Sequence, residues 1–333
     1  MDTATSPPPR RRRRTLRDAA ALVEAGLAAP SQRDALEDVA TRYAIAITPE
    51  MADLIDRDDA RDPIARQFVP DPAERTRLPD EIDDPTGDAA HGAAKGIAKG
   101  IVHRYPDRVL LKPTHACPVY CRFCFRREKV GPDGGLLSEA ELQEALAWFD
   151  GNAAIREVIL TGGDPLMLSP RRLGWLIERL SAIPHIEILR IHTRVPVADP
   201  ARVTPALVAA LETAKALFLC VHANHASEFS TDAGAALARL WRVGVPLLGQ
   251  SVLLRGVNDS AEALEALFRA MLRHRVKPYY LHQLDPAPGT ARFRVEEAEG
   301  LRLMAGLRGR LSGLGQPLYV RETPGGGGKV PVR

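Results

Sequence analysis

Three of the four cysteines in this chain of 333 residues stand close together, at Cys117, Cys121 and Cys124. Thiolates at this C-x3-C-x2-C spacing can hold three corners of an iron–sulfur cube and leave the fourth iron open. Zinc is an alternative, but a structural zinc site needs four ligands, and only His115 offers itself as the fourth. A group of buried core cysteines is a third interpretation, which the arginines interleaved with the motif oppose. The remaining Cys220 lies alone in an apolar run and is interpreted as a core residue.

Alternating strand and helix patterns from about residue 106 onward must position these cysteines. Apolar runs predict strands at 108–115, 156–163, 187–194, 216–223, 245–254 and 277–285. Helical spacing of apolar residues lies between them, near 138–149, 169–182, 204–213, 231–243, 260–274 and 295–312. Six strands that alternate with six helices predict an α/β fold with parallel strands, and six units fit a partial (β/α)6 barrel better than a full eight-stranded one.

Polar residues follow the predicted strands, at the ends where parallel α/β folds gather their chemistry. His115 follows the first strand, just before the cysteines. The ends of later strands carry Gly162, Gly163, Asp164, His222, Gln250 and Asp285. We therefore expect the cysteines and these residues to lie around the mouth of the barrel.

Composition and charge exclude several classes of protein. Hydrophobic residues make up 45% and charged residues 26%, as in soluble globular proteins, which argues against a disordered chain or a coiled-coil rod. No long apolar run predicts a membrane-spanning helix, and a net charge of +3 is too small to imply a nucleic-acid partner. Four cysteines in this length do not make a disulfide-stapled secreted domain, so a cytoplasmic location is expected.

Four regions are predicted along the chain. Residues 1–15, with prolines and then five arginines, are expected to form a disordered basic tail, and a weak contact with an anionic surface or RNA is the alternative. Residues 16–99 are expected to form an N-terminal helical region, whose part from 57 to 95 is rich in Asp, Pro and Arg. Residues 100–315 are assigned to the barrel, and 316–333 to a short C-terminal tail.

The cysteine motif, with Phe123 before its last cysteine, resembles the signature of radical S-adenosylmethionine (SAM) enzymes. The resemblance implies a [4Fe–4S] cluster whose open iron binds SAM, and an external one-electron reductant such as flavodoxin or ferredoxin that starts the cleavage of SAM to a deoxyadenosyl radical. It also implies that the turn formed by Gly162, Gly163 and Asp164 meets the methionine amine of SAM through backbone groups, with an ordinary tight turn as the alternative. His222 is expected among the cofactor contacts.

Further motifs resemble the lysine 2,3-aminomutase family over about residues 100 to 332. They are HRYPDR at 103–108, RVPVADPARVTP at 194–205, QSVLLRGVND at 250–259 and a glycine-rich PGGGGK near the end. The resemblance implies that Lys329 forms a Schiff base with pyridoxal 5′-phosphate (PLP). Arg104, Arg108 and Gln250 would contact PLP. Arg126 would pair with the substrate carboxylate, a role that suits the planar fork of arginine.

Two acidic residues bear on the choice of substrate. In lysine-specific relatives two carboxylates bind the remote ammonium group, and Asp285 matches one of them. The second position holds Glu322, one methylene longer than the aspartate of the family, and a solvated surface charge is the alternative interpretation. Two carboxylates favour a cationic side chain, lysine or arginine, and would repel glutamate.

The implied function is that of an isomerase that converts free L-α-lysine into β-lysine by 1,2-amino migration. Supply of β-lysine for elongation factor P modification and lysine catabolism both agree with the motifs. The alternatives are a 2,3-aminomutase for another amino acid, a radical SAM enzyme of another reaction type, and a non-catalytic metal- or RNA-binding module. Ser260 stands where long relatives carry a cysteine of their zinc site, so no structural zinc is expected, and a homodimer must use different contacts.

Overall fold

Apolar runs rich in leucine, isoleucine and valine form the strands of the barrel. The computed structural model describes residues 14–92, 95–131, 135–323 and 328–333. Its strands are β1 (Ile101–Val102), β2 (Arg108–Thr114), β3 (Glu157–Gly162), β4 (Ile188–Thr193), β5 (Ala216–His222), β6 (Leu247–Val252), β7 (Val276–His282), β8 (Leu318–Thr323) and β9 (Gly328–Pro331). Most of the predicted basic tail, and most of the glycines before Lys329, lie outside the described residues.

One curved sheet contains these nine strands in chain order. Strands β2 to β8 run parallel, and the short β1 and β9 flank the two edges in antiparallel register. The sheet curls into a half-barrel, so the predicted α/β partial barrel is confirmed. Strand β8 is a further parallel strand that the apolar pattern does not indicate, because Leu318 and Arg321 on it are exposed.

The N-terminal region packs on the loop that carries the cysteines. Its helices are α1 (Ala19–Glu24), α2 (Arg33–Ala40), α3 (Pro49–Asp53) and α4 (Pro63–Phe68). Leu22, Leu36 and Phe68 are buried in a core of their own, which also includes Val119 from the cysteine loop. Packing of this core therefore fixes one side of the loop.

Helices alternate with the strands of the barrel, and serine residues set where several of them begin. They are α5 (Glu139–Asp150), α6 (Pro170–Ser181), α7 (Val195–Ala198), α8 (Pro205–Ala209), α9 (Thr231–Arg242), α10 (Ala261–Arg273) and α11 (Glu297–Leu307). The side chains of Ser138, Ser169 and Ser230 accept backbone N–H groups in the first turns of α5, α6 and α9. Ser260 caps α10 in the same way. Within the described part of the chain, no helix has both the length and the apolar character needed to cross a bilayer.

Alternation along the strands separates the core from the barrel interior. On β4, Leu189 and Ile191 are fully buried in the core that the strands share with the outer helices. Arg190 and His192, which alternate with them, line a cavity inside the half-barrel. The period of two therefore places polar side chains inside the barrel and apolar ones beneath the helices.

The C-terminal segment is a hairpin in the sheet rather than a free tail. Glu322 pairs with Lys329 across β8 and β9, and Thr323 pairs with Gly328. Gly328 has a φ of +77°, a left-handed conformation that favours glycine, and a Cβ there would overlap the ring of Tyr105. Close packing on Tyr105 thus requires glycine immediately before Lys329.

Candidate active site

A cavity of about 560 Å³ opens where the parallel strands end. The loop after β2, the ends of β3 to β7 and the C-terminal hairpin form its wall. His115, which the sequence also places at the mouth, is not among the lining residues of this cavity. The other residues that the sequence assigns to the site line it: Arg104, Arg108, Cys117, Cys121, Cys124, Arg126, Gly162, Gly163, Asp164, His222, Gln250, Asp285, Glu322 and Lys329. The fold thus brings the predicted residues together, while the role of each stays a prediction.

The three cysteines of the motif lie in the loop between β2 and α5, and each is a half-buried free thiol. Among the described residues, no three His, Cys, Asp or Glu side chains converge closely enough to hold one metal ion. A [4Fe–4S] cluster binds each thiol through a different iron, so it needs thiols spaced around a cube rather than meeting at a point. Three thiols are the ligand set of a [4Fe–4S] cluster that keeps one iron open, whereas a structural zinc site needs four ligands, so the donor set fits the cluster.

The environment of the thiols controls their protonation. Burial raises the pKa of all three, to about 11 for Cys124, where the neighbouring Cys121 adds to the effect. Arg194 opposes the shift at Cys121, and its Nη1 donates to Sγ at 3.2 Å. The backbone N–H of Arg126 donates to Sγ of Cys124 at 3.4 Å. Because metal ligation needs thiolates, cluster binding must release protons from these groups.

The glycine turn after β3 packs directly on the start of the cysteine loop. Gly162 has a φ of +108°, and a Cβ there would lie 2.7 Å from the carbonyl oxygen of Thr114. A Cβ on Gly163 would overlap the backbone of Ala116. The backbone N–H of Gly163 donates to the carbonyl of Thr114 at 2.8 Å, and that of Asp164 donates to the carbonyl of Ala116 at 2.8 Å. Only glycine permits this approach, so the turn and the cysteine loop are held as one unit.

The carboxylate of Asp164 is occupied by protein donors. Thr193 Oγ1 donates to Oδ1 at 2.8 Å, and the backbone N–H groups of Arg194 and Val195 donate to Oδ2 at 2.7 and 3.1 Å. The residue is 3% exposed and ties the turn after β3 to the start of α7. A contact between this turn and SAM would therefore come from backbone groups, which agrees with the expectation from the sequence.

Lys329 reaches the cavity from β9 and is held at its backbone and at its amine. Its Nζ lies 2.8 Å from Glu322 Oε1, and its backbone N–H donates to Tyr105 Oη at 2.7 Å. Glu322 Oε2 lies 2.7 Å from Arg104 Nη1. One carboxylate thus bridges the predicted PLP lysine and a predicted PLP arginine. Tyr105 was not singled out from the sequence, although it lies inside the HRYPDR motif, which could have indicated it.

The other predicted cofactor contacts differ in how far protein groups already occupy them, and Arg108 Nη1 lies 2.8 Å from Asp107 Oδ1. The guanidinium of Arg108 lies 3.8 Å from the centre of the Tyr105 ring. Gln250 Nε2 lies 3.4 Å from His192 Nδ1. Burial lowers the pKa of His222 to about 3, with a smaller effect from a nearby guanidinium, so its imidazole is neutral. Nε2 of His192 and Nε2 of His222 are buried with no hydrogen-bond partner in the described structure, a pattern that fits groups that bind a cofactor.

The buried carboxylate of Asp88 anchors Arg126, and no sequence pattern singles out Asp88. Nε and Nη2 of Arg126 lie 3.0 and 2.9 Å from Asp88 Oδ2, and Lys112 Nζ lies 3.2 Å from the same oxygen. Although burial opposes ionisation, these two cations hold the pKa of Asp88 well below its usual value. Asp88 uses Nε and one N–H of Nη2, so the two N–H groups of Nη1 and the second N–H of Nη2 can bind a further anion.

Asp285 lines the cavity near Glu322 and titrates near neutral pH. Burial raises the pKa of Asp285 to about 7, and the negative charge of Glu322 adds to the shift. The cations Lys329, Arg126 and Arg104 oppose it. Two acidic groups that influence each other in this way share one region of the cavity.

A buried ionic cluster joins the N-terminal region to the cysteine loop. Glu74 is 1% exposed, and its carboxylate pairs with Arg122, Arg127 and Arg292. Arg122 and Arg127 flank Cys124 in the sequence and are buried as well. Arginines in this loop are therefore compatible with a buried environment, because a carboxylate from a distant segment compensates their charge.

Comparisons with known proteins agree with this geometry. The Radical SAM superfamily matches residues 111–268. The L-lysine 2,3-aminomutase of Acetoanaerobium sticklandii is 38% identical over 303 residues, which are 91% of this chain and 72% of that protein. The L-lysine 2,3-aminomutase of Clostridium subterminale is 39% identical over 86% of this chain and 68% of that protein. The glutamate 2,3-aminomutase of Clostridioides difficile is 36% identical over 90% of this chain and 70% of that protein.

Similarity at this level, over most of both chains, confirms the resemblance of the motifs. Radical SAM enzymes carry a [4Fe–4S] cluster and SAM, and the three free thiols at the cavity wall fit that requirement. Aminomutases are isomerases, which confirms the predicted enzyme class. The chain therefore belongs to the lysine 2,3-aminomutase family of radical SAM enzymes.

Proposed function

We propose that this protein is a PLP-dependent aminomutase that converts L-α-lysine into β-lysine by moving the amino group from C2 to C3. One observation carries the proposal. A single stretch of cavity wall offers the cysteine thiols, the amine of Lys329, the guanidinium of Arg126 and the carboxyl group of Asp285. This set supplies a place for the cluster and SAM, a lysine for PLP, and opposite charges for the two ends of an amino acid.

The charges in the cavity favour an amino acid with a cationic side chain. Glu322 contributes to the raised pKa of Asp285, which means that the two carboxyl groups repel each other. An ammonium group bound between them would relieve that repulsion, whereas the carboxylate side chain of glutamate would increase it. Arg126, oriented by Asp88, keeps the N–H groups of Nη1 and one of Nη2 for the carboxylate of the amino acid.

The residues of the chain bind, orient and shield the reacting groups. When bound, the cluster with SAM supplies a carbon-centred radical, and PLP supplies a conjugated system that can stabilise a neighbouring radical. Arg104 and Arg108 offer two guanidinium groups for the PLP phosphate, next to the amine of Lys329. Phe123 and Leu284 are buried at the cavity wall, so this side of the site excludes water from a radical reaction.

The named activities of the relatives support lysine and define the alternative. The relatives from Acetoanaerobium sticklandii and Clostridium subterminale are named L-lysine 2,3-aminomutases, and the one from Clostridioides difficile a glutamate 2,3-aminomutase. Another amino acid is therefore the second candidate substrate, and Asp285 with Glu322 disfavours glutamate. Product chirality would separate a supply of β-lysine for elongation factor P from lysine catabolism.

We also place the protein in the cytosol, with flavodoxin or ferredoxin as its reductant. Three half-buried free thiols that bind a cluster need a compartment in which cysteines stay reduced. A purified flavodoxin system should therefore replace dithionite in supporting release of 5′-deoxyadenosine. Failure of both flavodoxin and ferredoxin, with dithionite active, would reject this class of partner.

Trapping of PLP tests the assignment of Lys329. Borohydride reduction of the PLP-loaded protein should attach PLP to the peptide that contains Lys329, and Lys329→Ala should lose both this adduct and the PLP absorbance. Lys99→Ala is the control, because Lys99 is exposed and pairs with Glu141 at the surface. An adduct on another lysine, or full PLP absorbance in Lys329→Ala, would contradict the proposal.

A further inference from the structure

Arg194 contacts the cysteine motif with its side chain. It follows β4 directly, and its side chain is 6% exposed. Nη1 donates a hydrogen bond to Sγ of Cys121 at 3.2 Å. Cys124, by comparison, receives a longer contact of 3.4 Å from a backbone N–H. A buried cation thus lies against one of the three thiols that would bind the cluster.

Separate segments of the chain hold the guanidinium of Arg194 in place. Its Nη2 lies 2.5 Å from Glu228 Oε2 and donates to Gln67 Oε1 at 2.7 Å. Glu228 is fully buried, and its other oxygen accepts the backbone N–H groups of Asn224 and His225 at 2.8 and 3.0 Å. The guanidinium therefore cannot turn away from the thiol without leaving a buried carboxylate unpaired.

This placement has a consequence for the redox chemistry of the cluster. Arginine stays protonated at every pH at which the protein is folded, so Nη1 presents a permanent positive donor to Sγ of Cys121. One-electron reduction adds negative charge to the cluster and its sulfur ligands. A hydrogen bond to a ligand sulfur stabilises the reduced cluster more than the oxidised one, which raises the reduction potential.

We propose that Arg194 is a positioning residue for the iron–sulfur cluster and that its hydrogen bond to Cys121 raises the reduction potential of the cluster. A low-potential electron carrier passes one electron to [4Fe–4S]2+ and produces [4Fe–4S]+, and Arg194 makes that transfer easier. The inference rests on the cluster alone. It does not depend on PLP or lysine, so its failure and that of the proposed function are distinguishable.

A redox titration followed by electron paramagnetic resonance, on reconstituted protein without lysine, measures the midpoint potential. Arg194→Gln should shift it to a more negative value, seen as a several-fold lower ratio of reduced to oxidised cluster at the wild-type midpoint. Glu228→Gln keeps the arginine and removes the opposing negative charge, so it should shift the midpoint the other way. Arg239→Gln is the control, because Arg239 binds the backbone carbonyls of Val203 and Pro200 and not the motif.

Iron and sulfide content shows which variants retain the cluster. If Arg194→Gln loses it, Arg194→Lys takes its place, with a smaller negative shift, because lysine keeps the charge but not the planar fork. If both Arg194 variants lose the cluster, the midpoint potential of Glu228→Gln decides alone. A more positive midpoint would support the proposal, and an unchanged or more negative midpoint would overturn it. A wild-type midpoint in a cluster-containing Arg194 variant, or shifts of the same sign in the Arg194 and Glu228 variants, would also overturn it.

Discussion

Glu322 and Lys329 are direct cross-strand partners in the antiparallel pair of β8 and β9, and their side chains meet at 2.8 Å. Glu322 also lies 2.7 Å from Arg104 Nη1, so one carboxylate holds two cations at the cavity wall. Directly opposed residues in an antiparallel ladder have neighbouring Cβ atoms. The register of the hairpin therefore sets where the amine of Lys329 lies.

Loss of the Glu322 carboxylate should weaken lysine binding. Glu322→Gln removes one of the two negative charges proposed for the substrate ammonium, so the KM for lysine should rise about tenfold or more, which corresponds to about 1.4 kcal/mol. Steady-state kinetics at saturating SAM and PLP measures it. Glu297→Gln is a suitable control, since the pair of Glu297 with Arg321, the neighbour of Glu322 on β8, is exposed. An unchanged KM in Glu322→Gln would leave that residue as a hairpin contact only.

Lysine binding should depend on pH through Asp285. Burial and Glu322 raise the pKa of Asp285 to about 7, so its carboxyl group is neutral below that pH and charged above it. The KM for lysine should therefore increase as the pH falls below about 7. A bound ammonium should lower the pKa again, so binding near neutral pH should release a proton.

Calorimetry in two buffers of different ionisation enthalpy measures that proton release. The same site also contains Lys329, Arg126 and Arg104, whose positive charges oppose the shift at Asp285. Asp285→Asn separates the contributions, because it should flatten the pH profile while the cations stay in place. A pH-independent KM in the wild-type protein would exclude Asp285 as the titrating group.

A side chain on Gly163 should disturb the cysteine loop. Its Cβ would overlap the backbone of Ala116, so Gly163→Ala should reduce the iron retained after reconstitution and lower the free energy of unfolding by about 1–3 kcal/mol. Gly306 in α11 has no atom within 4 Å of an added Cβ. Gly306→Ala should therefore be neutral or stabilise the fold by about 0.5–1 kcal/mol. Iron assays and urea denaturation of Gly163→Ala and Gly306→Ala test these expectations. Full iron content in Gly163→Ala would show that the glycine turn does not hold the cysteine loop in place.

Removal of the Glu74 charge should destabilise the protein strongly. Glu74→Gln leaves the two buried guanidinium groups of Arg122 and Arg127 without their carboxylate, while Arg292 keeps its pair with Asp71. Loss of one partner from a buried ionic group costs about 3–5 kcal/mol in the free energy of unfolding. The exposed pair of Arg33 and Glu37 provides the comparison, and Glu37→Gln should cost only about 0.2–0.5 kcal/mol. Similar losses in the two variants, measured by urea denaturation, would show that Glu74 is not an anchor.

The barrel was readable from the sequence because its strands and helices repeat strong local patterns. The predicted strand over 156–163 is observed as Glu157–Gly162, and the predicted helix over 260–274 as Ala261–Arg273. Strand β8 was not readable, because Leu318 and Arg321 on it face solvent and its pairing with β7 depends on the curvature of the sheet. Local periodicity carries no information on such a strand.

Some residues of the site could likewise be predicted from the sequence, and others could not. Cys121, Gly163 and Lys329 could be predicted, because each belongs to a recognisable motif or follows a predicted strand. Asp88 and Glu74 do not stand out, because each is one acidic residue among many in the segment from 57 to 95. Their roles arise only when the chain brings them to Arg126, 38 residues away, and to Arg122, 48 residues away. Contacts of this kind require the fold itself.

The product formed from free lysine tests the central claim most directly. Anaerobically reconstituted protein with iron, sulfide, SAM, PLP and dithionite would be incubated with L-lysine, and β-lysine would be quantified by chiral mass spectrometry. We predict β-lysine with the wild-type protein and none with Lys329→Ala, which should still cleave SAM. Cleavage of SAM by the wild-type protein with no β-lysine, or amino migration on glutamate instead, would contradict the assignment of lysine as the substrate.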